Sequence, residues 1–455
     1  MTDAKKYVLG LDAGGTKIKA GVFDLSGEMV AIARRPIPMS TPQAGWVEID
    51  PAALWQAAAE SIREVISEGG IDAAAIVGIA PTGFGNGAFC VDAAGNATRP
   101  AINSGDGRAK DIFSQWKADG TYSKAHPHTL QAGFPGQTAA IVRWLADNEP
   151  ETLDATRWLL YCKDFLRMKL TGEAVTDTTD ATIAGLASPQ TSDWSDEALA
   201  TYGISSVREK LPPICQPIDQ AGKVTATAAS ETGLAEGTPV FGGLLDADAC
   251  AVSAGCVDES SVVLVVGSWG NNQYVTKTPP ISENLFIVGN YAIDGYYYIL
   301  EGSPTSASNF EWFVREFFNA EKAAGDNPYA LCDAMVAETA ADSDVMFLPF
   351  LFGSNLSVDA TGSFLNLRAG STRGAMARAI FEGVCFSHCW HMDRLLQYRE
   401  NPTSLCLTGG AANSTVWSQM FSDMFGLPLS IPGGGELGCL GAAICAAVGA
   451  GKFDS

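Results

Sequence analysis

At 455 residues the chain exceeds the roughly 250–300 at which a single hydrophobic core stops growing, so two or three domains are expected. With 47% hydrophobic and 18% charged residues it is globular rather than disordered. A net charge of −22 argues against nucleic acid and anionic membrane, where binding rests on Lys and Arg neutralising phosphates, but leaves room for a nucleotide held by a few local groups.

No apolar run approaches the roughly 18–20 residues of a membrane span. The start, MTDAKKYVLGLD, has no signal-peptide core, so the cytoplasm is expected. The eleven cysteines are scattered and odd in number, and read as reduced core thiols.

In chain order, VLGLDAGGTKIKAGVFD (residues 8–24) predicts two strands around a Gly-rich turn that holds Asp12, Gly14, Gly15, Thr16 and Lys17. GWVEIDPAALWQAAAESIREVISEG predicts a loop and an amphipathic helix, with Asp50 as N-cap and Pro51 at the first helical position. AAIVGIAPTGFGNGAFCVD predicts strand, glycine turn, strand. Gly83, Gly85 and Ala88 fit the G-x-G-x-x-A dinucleotide fingerprint, with Asp106 about 20 residues on. That fingerprint needs a helix to begin inside it, whereas AFCVDAAGN continues as a strand, so a nicotinamide site is not expected.

TAAIVRWLADNEP predicts a helix closed by Pro150, and WLLYCKDFLRMKLTG a short strand entering a helix. The Pro- and Thr-rich stretch near 210–240 is expected to connect two halves. VFGGLLDADACAVSAG predicts strand, carboxylate, helix. VVLVVGSWGNNQYV (residues 262–275) then repeats the opening pattern, with Gly267, Ser268, Trp269 and Gly270 in the turn. FLPFLFGSN, the helix of TRGAMARAIFEGVCFSHCW, the strand-turn SLCLTGGAAN and the Ala-rich helix after IPGGGELG complete the chain. Strands and helices alternate in both halves, which is the α/β class. The end, GKFDS, carries no helix cap or basic tail, and a missing final helix is expected from that.

Backbone N–H groups in a glycine turn can cradle phosphate oxygens, and two such hairpins point to related domains closing on one nucleotide. Asp12, at a strand end before the first glycine pair, can hold Mg²⁺ through water beside phosphates on the Gly14–Lys17 turn; the plain alternative is a turn-forming Asp. Asp246 and Asp248 stand at a strand-to-helix junction, where one can cap the helix and the other act as a base toward a hydroxyl. Gly409, Gly410 and Asn413 form a turn that lets a flat base or ribose approach the backbone. Cys385, His388, Cys389 and His391 crowd one segment; with His391 off the shared helix face, a buried helix explains them better than zinc.

Taken in order, GLDAGGTKIKAGVFD, GWVEIDP with Trp55, KDFLRMKLTGEAVTD, GGLLDADACAVSAG, FLPFLFGSN and TGGAANSTVWSQMFSDMFGLPL make the chain resemble the FGGY carbohydrate kinases over nearly its whole length. The resemblance implies two actin-like, ribonuclease-H-like domains with an interdomain cleft: 1–240 binding sugar and 241–455 binding ATP. It implies Asp12 as the Mg²⁺-associated carboxylate, Gly14, Gly15, Thr16 and Lys17 as the first phosphate loop, and Gly267 and Ser268 as the second. It further implies Asp246 as catalytic base, and Gly409, Gly410 and Asn413 as the adenosine region. Asp106 and Arg108 match a family Asp-x-Arg that lines the sugar site, and Asn86 stands in the sugar turn; the alternatives are a surface turn for Asp106, a φ > 0 turn for Asn86 and loop packing for Trp46.

Phe84, Gly85 and Asn86 replace the Gln-Met-His of D-xylulose kinases, and the Arg-Glu of glycerol kinases is absent. EGSPTSASNFEWFVREF is most similar to L-xylulose (3-keto-L-gulonate) kinases, so a small ketose of that type ranks first and a tetritol or pentitol second. A homodimer is the family expectation, although no interface signal stands out. The rival classes are a non-catalytic actin-fold nucleotide switch, which would need no sugar base, and a nicotinamide dehydrogenase.

Overall fold

The computed structural model describes residues 5–267, 269–353, 360–433 and 435–453. The first half builds β1 (Tyr7–Ala13), β2 (Lys17–Asp24), β3 (Met29–Pro36), α1 (Pro51–Glu68), β4 (Ile76–Gly83), α2 (Cys162–Thr171), α3 (Thr178–Ile183), β5 (Gln220–Lys223), β6 (Pro239–Phe241), β7 (Leu244–Leu245) and α4 (Asp246–Ser253). The second builds β8 (Ser261–Val266), β9 (Gly270–Thr276), β10 (Ile287–Asn290), β11 (Tyr297–Ser303), α5 (Arg373–Leu395), β12 (Ser404–Gly409), α6 (Thr415–Phe425), β13 (Leu429–Ser430) and α7 (Leu437–Gly449), with shorter elements between them.

The two sheets share one plan. The first runs β5-β6-β4-β1-β2-β3, with β7 beside β4, and the second β10-β11-β9-β8-β12-β13. In each, a hairpin pair is antiparallel and its first strand takes a later strand in parallel: β1 with β2 and β4, β8 with β9 and β12. This α/β architecture, two mixed sheets with helices, matches the predicted class. Strand β1 is buried along nearly its whole length because helices cover both faces of its sheet, which is why it reads as a continuous apolar run.

Helix α1 begins as predicted. Asp50 Oδ1 accepts from Ala52 N at 2.9 Å, Pro51 occupies the first turn, and Leu54, Ala58, Ile62 and Val65 form the buried face. The segment that follows Gly83 continues as a strand, Phe89–Val91, and no helix opens inside the dinucleotide-like motif.

One expectation is corrected. Residues 210–240 are not a connector: β5 and β6 form the edge of the first sheet, and helix Ala226–Thr232 packs on α1. Gly222 lies in the edge strand β5 and Pro239 is the first residue of β6, positions where a missing side chain or ladder donor is tolerated. The chain leaves the first sheet only after β7, through α4.

Helices α4 and α7 lie between the sheets. Ala249 of α4 joins Ala442 and Ala446 of α7 in a core against β1 and β4, while Ala251 packs with Val263, Val275 and Tyr298 of the second sheet. The approach of α7 is close enough to require glycine in β1, since a Cβ on Gly10 would stand 1.9 Å from the Cys439 carbonyl oxygen. The second half has its own aromatic core, in which Phe381 of α5 stacks on Trp417 of α6 at 4.1 Å.

Candidate active site

A cleft of about 290 Å³ is lined from both halves. Its walls bring together Gly15 of the first glycine turn, Trp269 of the second, Gly85 and Asn86 of the turn after β4, Asn103–Gly105, and Asp246. Phe84, Phe134, Phe286, Ile287 and Leu300 supply apolar surface, and Asn271 one more amide. Two larger surface hollows, of about 620 and 610 Å³, contain none of the predicted site residues.

Asp246 is the first residue of α4, half-buried in the cleft wall, with Oδ1 accepting from Ala247 N at 2.7 Å. Burial, reinforced by the nearby Asp12 carboxylate, pushes its pKa up to about 7 against the opposing pull of that hydrogen bond, Lys19 and Lys163. Asp248 is not the helix cap that its position allowed. It lies wholly buried within the first turn, neither carboxylate oxygen has a hydrogen-bond partner among the described residues, and burial holds its pKa far above the usual carboxylate range. Asp246 and Asp248 therefore differ in accessibility.

Asp12 ends β1 and is also buried, which raises its pKa. Lys19 Nζ, 3.3 Å away, opposes that shift and also pairs with Glu436 at 3.0 Å; Glu436 in turn holds Arg34 at 2.6 Å. A Cβ on Gly438 would stand 2.6 Å from Asp12 Oδ2, so the carboxylate rests on the first turn of α7, whose dipole favours negative charge.

The turns are tight. Gly14 N donates to Lys17 O at 3.1 Å, with Gly15, Thr16 and Lys17 exposed. Gly267 N donates to Trp269 O at 3.1 Å, and Gly267 O accepts from Ala307 N at 2.8 Å. Ser268 lies outside the described residues. Gly409 has φ +88°, and a Cβ there would meet Val266 O at 2.5 Å, so the end of β12 is pressed against the second turn. Gly410 and Asn413 follow in a short 3₁₀ turn, Asn413 exposed.

The sugar-side predictions divide. Asn86 takes φ +63°, and its Oδ1 accepts from Thr138 N at 3.2 Å, yet the residue still lines the cleft. Asp106 and Arg108 do not line it. Asp106 accepts from Val47 N at 2.6 Å and from Arg108 N and Nε at 2.8 Å. Arg108 also pairs with Glu48 at 2.8 Å and lies 3.9 Å from the Trp46 ring centre. Together they fasten loop 45–48 to loop 103–108 behind the cleft wall that Asn103, Ser104 and Gly105 provide.

His388 bonds Ser306 and Asn272 at 3.0 Å each, and burial pushes its pKa down to about 3; His391 faces Glu301 at 3.3 Å. Both rings of the Cys/His cluster thus serve α5's packing on the second sheet.

Sequence reasoning missed Lys19, Glu436 and Asn103–Gly105. Lys19 was findable, because closing the hairpin across Gly14–Thr16 sets it directly opposite Asp12. Glu436 and Asn103–Gly105 carry no local pattern and reach the site only through long-range packing.

The N-terminal-domain pattern of the FGGY family of carbohydrate kinases matches residues 7–253, and its C-terminal-domain pattern residues 262–450. The chain belongs to this family and is an ATP-dependent carbohydrate kinase with the two-domain fold its members share. It is 35% identical to the L-xylulose/3-keto-L-gulonate kinase of Escherichia coli strain K12 over 452 residues, 99% of this chain and 89% of that protein. It is 36% identical to a probable L-xylulose kinase of Pasteurella multocida strain Pm70, over 97% of this chain and 90% of the other. Among solved structures, the xylulose kinase of Rhodospirillum rubrum is similar with a TM-score of 0.87 at 28% identity, covering 99% of this chain and 91% of that one. No helix among the described residues is long and apolar enough to cross a membrane.

Proposed function

We propose that this kinase transfers the γ-phosphate of ATP to a hydroxyl of a small ketose, L-xylulose or 3-keto-L-gulonate, with Asp246 accepting the hydroxyl proton. The observation that carries this reading is Asp246 itself: a half-buried carboxylate with a pKa of about 7, in a wall shared with Asn86 and both glycine turns. A base of that strength accepts a proton at neutral pH as the alcohol oxygen attacks, a contribution of about 10²–10⁴ in rate. The similarity to L-xylulose-type kinases supports the ketose class. Within it, the lining favours the neutral sugar, for no Lys, Arg or His is among the described lining residues to meet the carboxylate of a keto-gulonate.

The phosphate loops of the proposal are Gly14, Gly15, Thr16 and Lys17 on one side and Gly267 with Ser268 on the other, with Gly409, Gly410 and Asn413 beside the adenosine. Packing of Gly409 on Val266 and Gly267 supports that grouping. Asp12 forms no three-ligand cluster with other described residues, which suits an ion that arrives with its nucleotide rather than a resident metal. The residues fit Mg²⁺ in that sense, since a cation would relieve the repulsion between Asp12 and Asp246. Asp12 would hold it, and the ion would neutralise phosphate oxygens.

The test is an ADP-release screen over L-xylulose, 3-keto-L-gulonate, other ketopentoses, tetritols and pentitols, run beside Asp246→Asn. Turnover is expected on L-xylulose above the rest, and Asp246→Asn should lose at least about 10²-fold while still binding ATP. Preference for a tetritol or pentitol would overturn the ketose assignment. An active Asp246→Asn would overturn the base.

A further inference from the structure

The segment KDFLRMKLTGEAVTD supplies no residue to the described cleft wall, yet it carries a group of fully buried charges. Lys163, the second residue of α2, is ion-paired with Asp164 at 3.3 Å and with Asp177 and Asp180, all without exposure. One turn on, Arg167 pairs with Asp164 at 2.8 Å and donates to the carbonyls of Val175 and Gly242. Burying ions this way is seldom the most stable choice, since apolar side chains of similar size often do as well.

The cluster leads to the proposed base. Asp177 caps α3, with Oδ1 accepting from Thr179 N at 2.9 Å and from the Thr179 hydroxyl. The Thr179 oxygen accepts in turn from Leu245 N at 2.9 Å, the residue before Asp246. Arg167 holds the Gly242 carbonyl at the other end of the same short stretch, so the four residues 242–245 that lead into Asp246 are tied to the buried charges at both ends. The cluster reaches the cleft as well: a Cβ on Gly85 would stand 2.8 Å from Asp180 Oδ1 and 2.6 Å from Leu245 Cδ1, and Gly85 and Leu245 both line the wall.

We propose that Thr179, held by Asp177 and Lys163, is a positioning residue that sets where Asp246 enters the cleft. This rests on the assignment of Asp246 as base. Thr179→Val removes the hydroxyl at nearly constant volume and frees Leu245 N from its anchor. A displacement of the base by about 1 Å costs on the order of 10²-fold, so kcat should fall about 10–100-fold while KM for ATP stays within about twofold.

Thr179→Ser keeps the oxygen and should restore kcat to within about threefold of wild type. Thr179→Ala deletes the same atom without branching and serves if the valine variant does not accumulate as folded protein. Asp246→Asn is assayed in parallel with the same sugar. Near-wild-type kcat in Thr179→Val or Thr179→Ala, with Asp246→Asn inactive, overturns the positioning role alone. Failure of Thr179→Ser to restore kcat overturns it too, because packing rather than the oxygen would then matter. An active Asp246→Asn overturns the underlying base assignment instead.

Discussion

Asp246 and Asp248 show how far environment separates two identical residues. Asp248 has no hydrogen-bond donor among the described residues and burial holds its pKa far above the usual carboxylate range, whereas Asp246 keeps a backbone donor, access to the cleft and a pKa of about 7. A base must be ionised to act, so kcat/KM should rise with pH through about 7 and level off above it, with one proton governing the acid limb. A pH profile measured at low sugar concentration checks this; activity flat from about pH 5 to 8 would remove Asp246 from that role. Both carboxylates were visible in GGLLDADACAVSAG, but their division of labour was not, because periodicity does not report which side of a first helical turn meets solvent. Asp106 and Arg108 make the same point: the sequence placed them near the turn that holds Asn86, while Val47 N donates to Asp106 and Glu48 accepts from Arg108, whose Nη1 alone has no hydrogen-bond partner among the described residues.

At the level of elements, the twinned hairpins were the most legible feature. Each has an apolar strand, a glycine turn and a returning strand, all local patterns, and each lies inside its sheet with a strand paired on either side. The short strands β5 and β6 were not legible, since QAGK and PVF, set among Pro- and Gly-containing loops, look like linkers until neighbouring strands pair with them. Gly409 ties a turn to a hairpin. With φ +88° and Val266 O only 2.5 Å from any added Cβ, Gly409→Ala must move the β12 turn away from Gly267, at a cost of about 1–3 kcal/mol. Thermal melting should drop, and KM for ATP should rise at least several-fold more than KM for sugar. Equal effects on the two constants would separate this turn from the nucleotide.

For the molecule as a whole, the two sheets meet through α4 and α7 and through Gln131, whose side-chain amide donates to Thr129 O, Thr182 O and, in the second half, Val288 O at 2.7 Å. Proposed sugar contacts lie on the first half and proposed nucleotide contacts on both halves around one cleft, so ligands that bridge it should stabilise the chain together. A thermal-shift measurement with the non-hydrolysable ATP analogue, Mg²⁺ and L-xylulose should exceed the larger of the single-ligand shifts. Absence of any sugar effect at saturating concentration would argue against binding in this cleft.

Local pattern was enough to establish an α/β chain built twice on the same hairpin, with Asp12 and Asp246 at strand ends, because strand periodicity, glycine turns and helix caps are written within a few neighbouring residues. What required the folded chain were the partners those residues have: Gly438 and Glu436 brought back beside Asp12 by α7, Lys163 and Thr179 set behind Asp246, and Asn103–Gly105 rather than Asp106 in the wall. These contacts join segments far apart in sequence, and burial and charge take their values only after packing has excluded water.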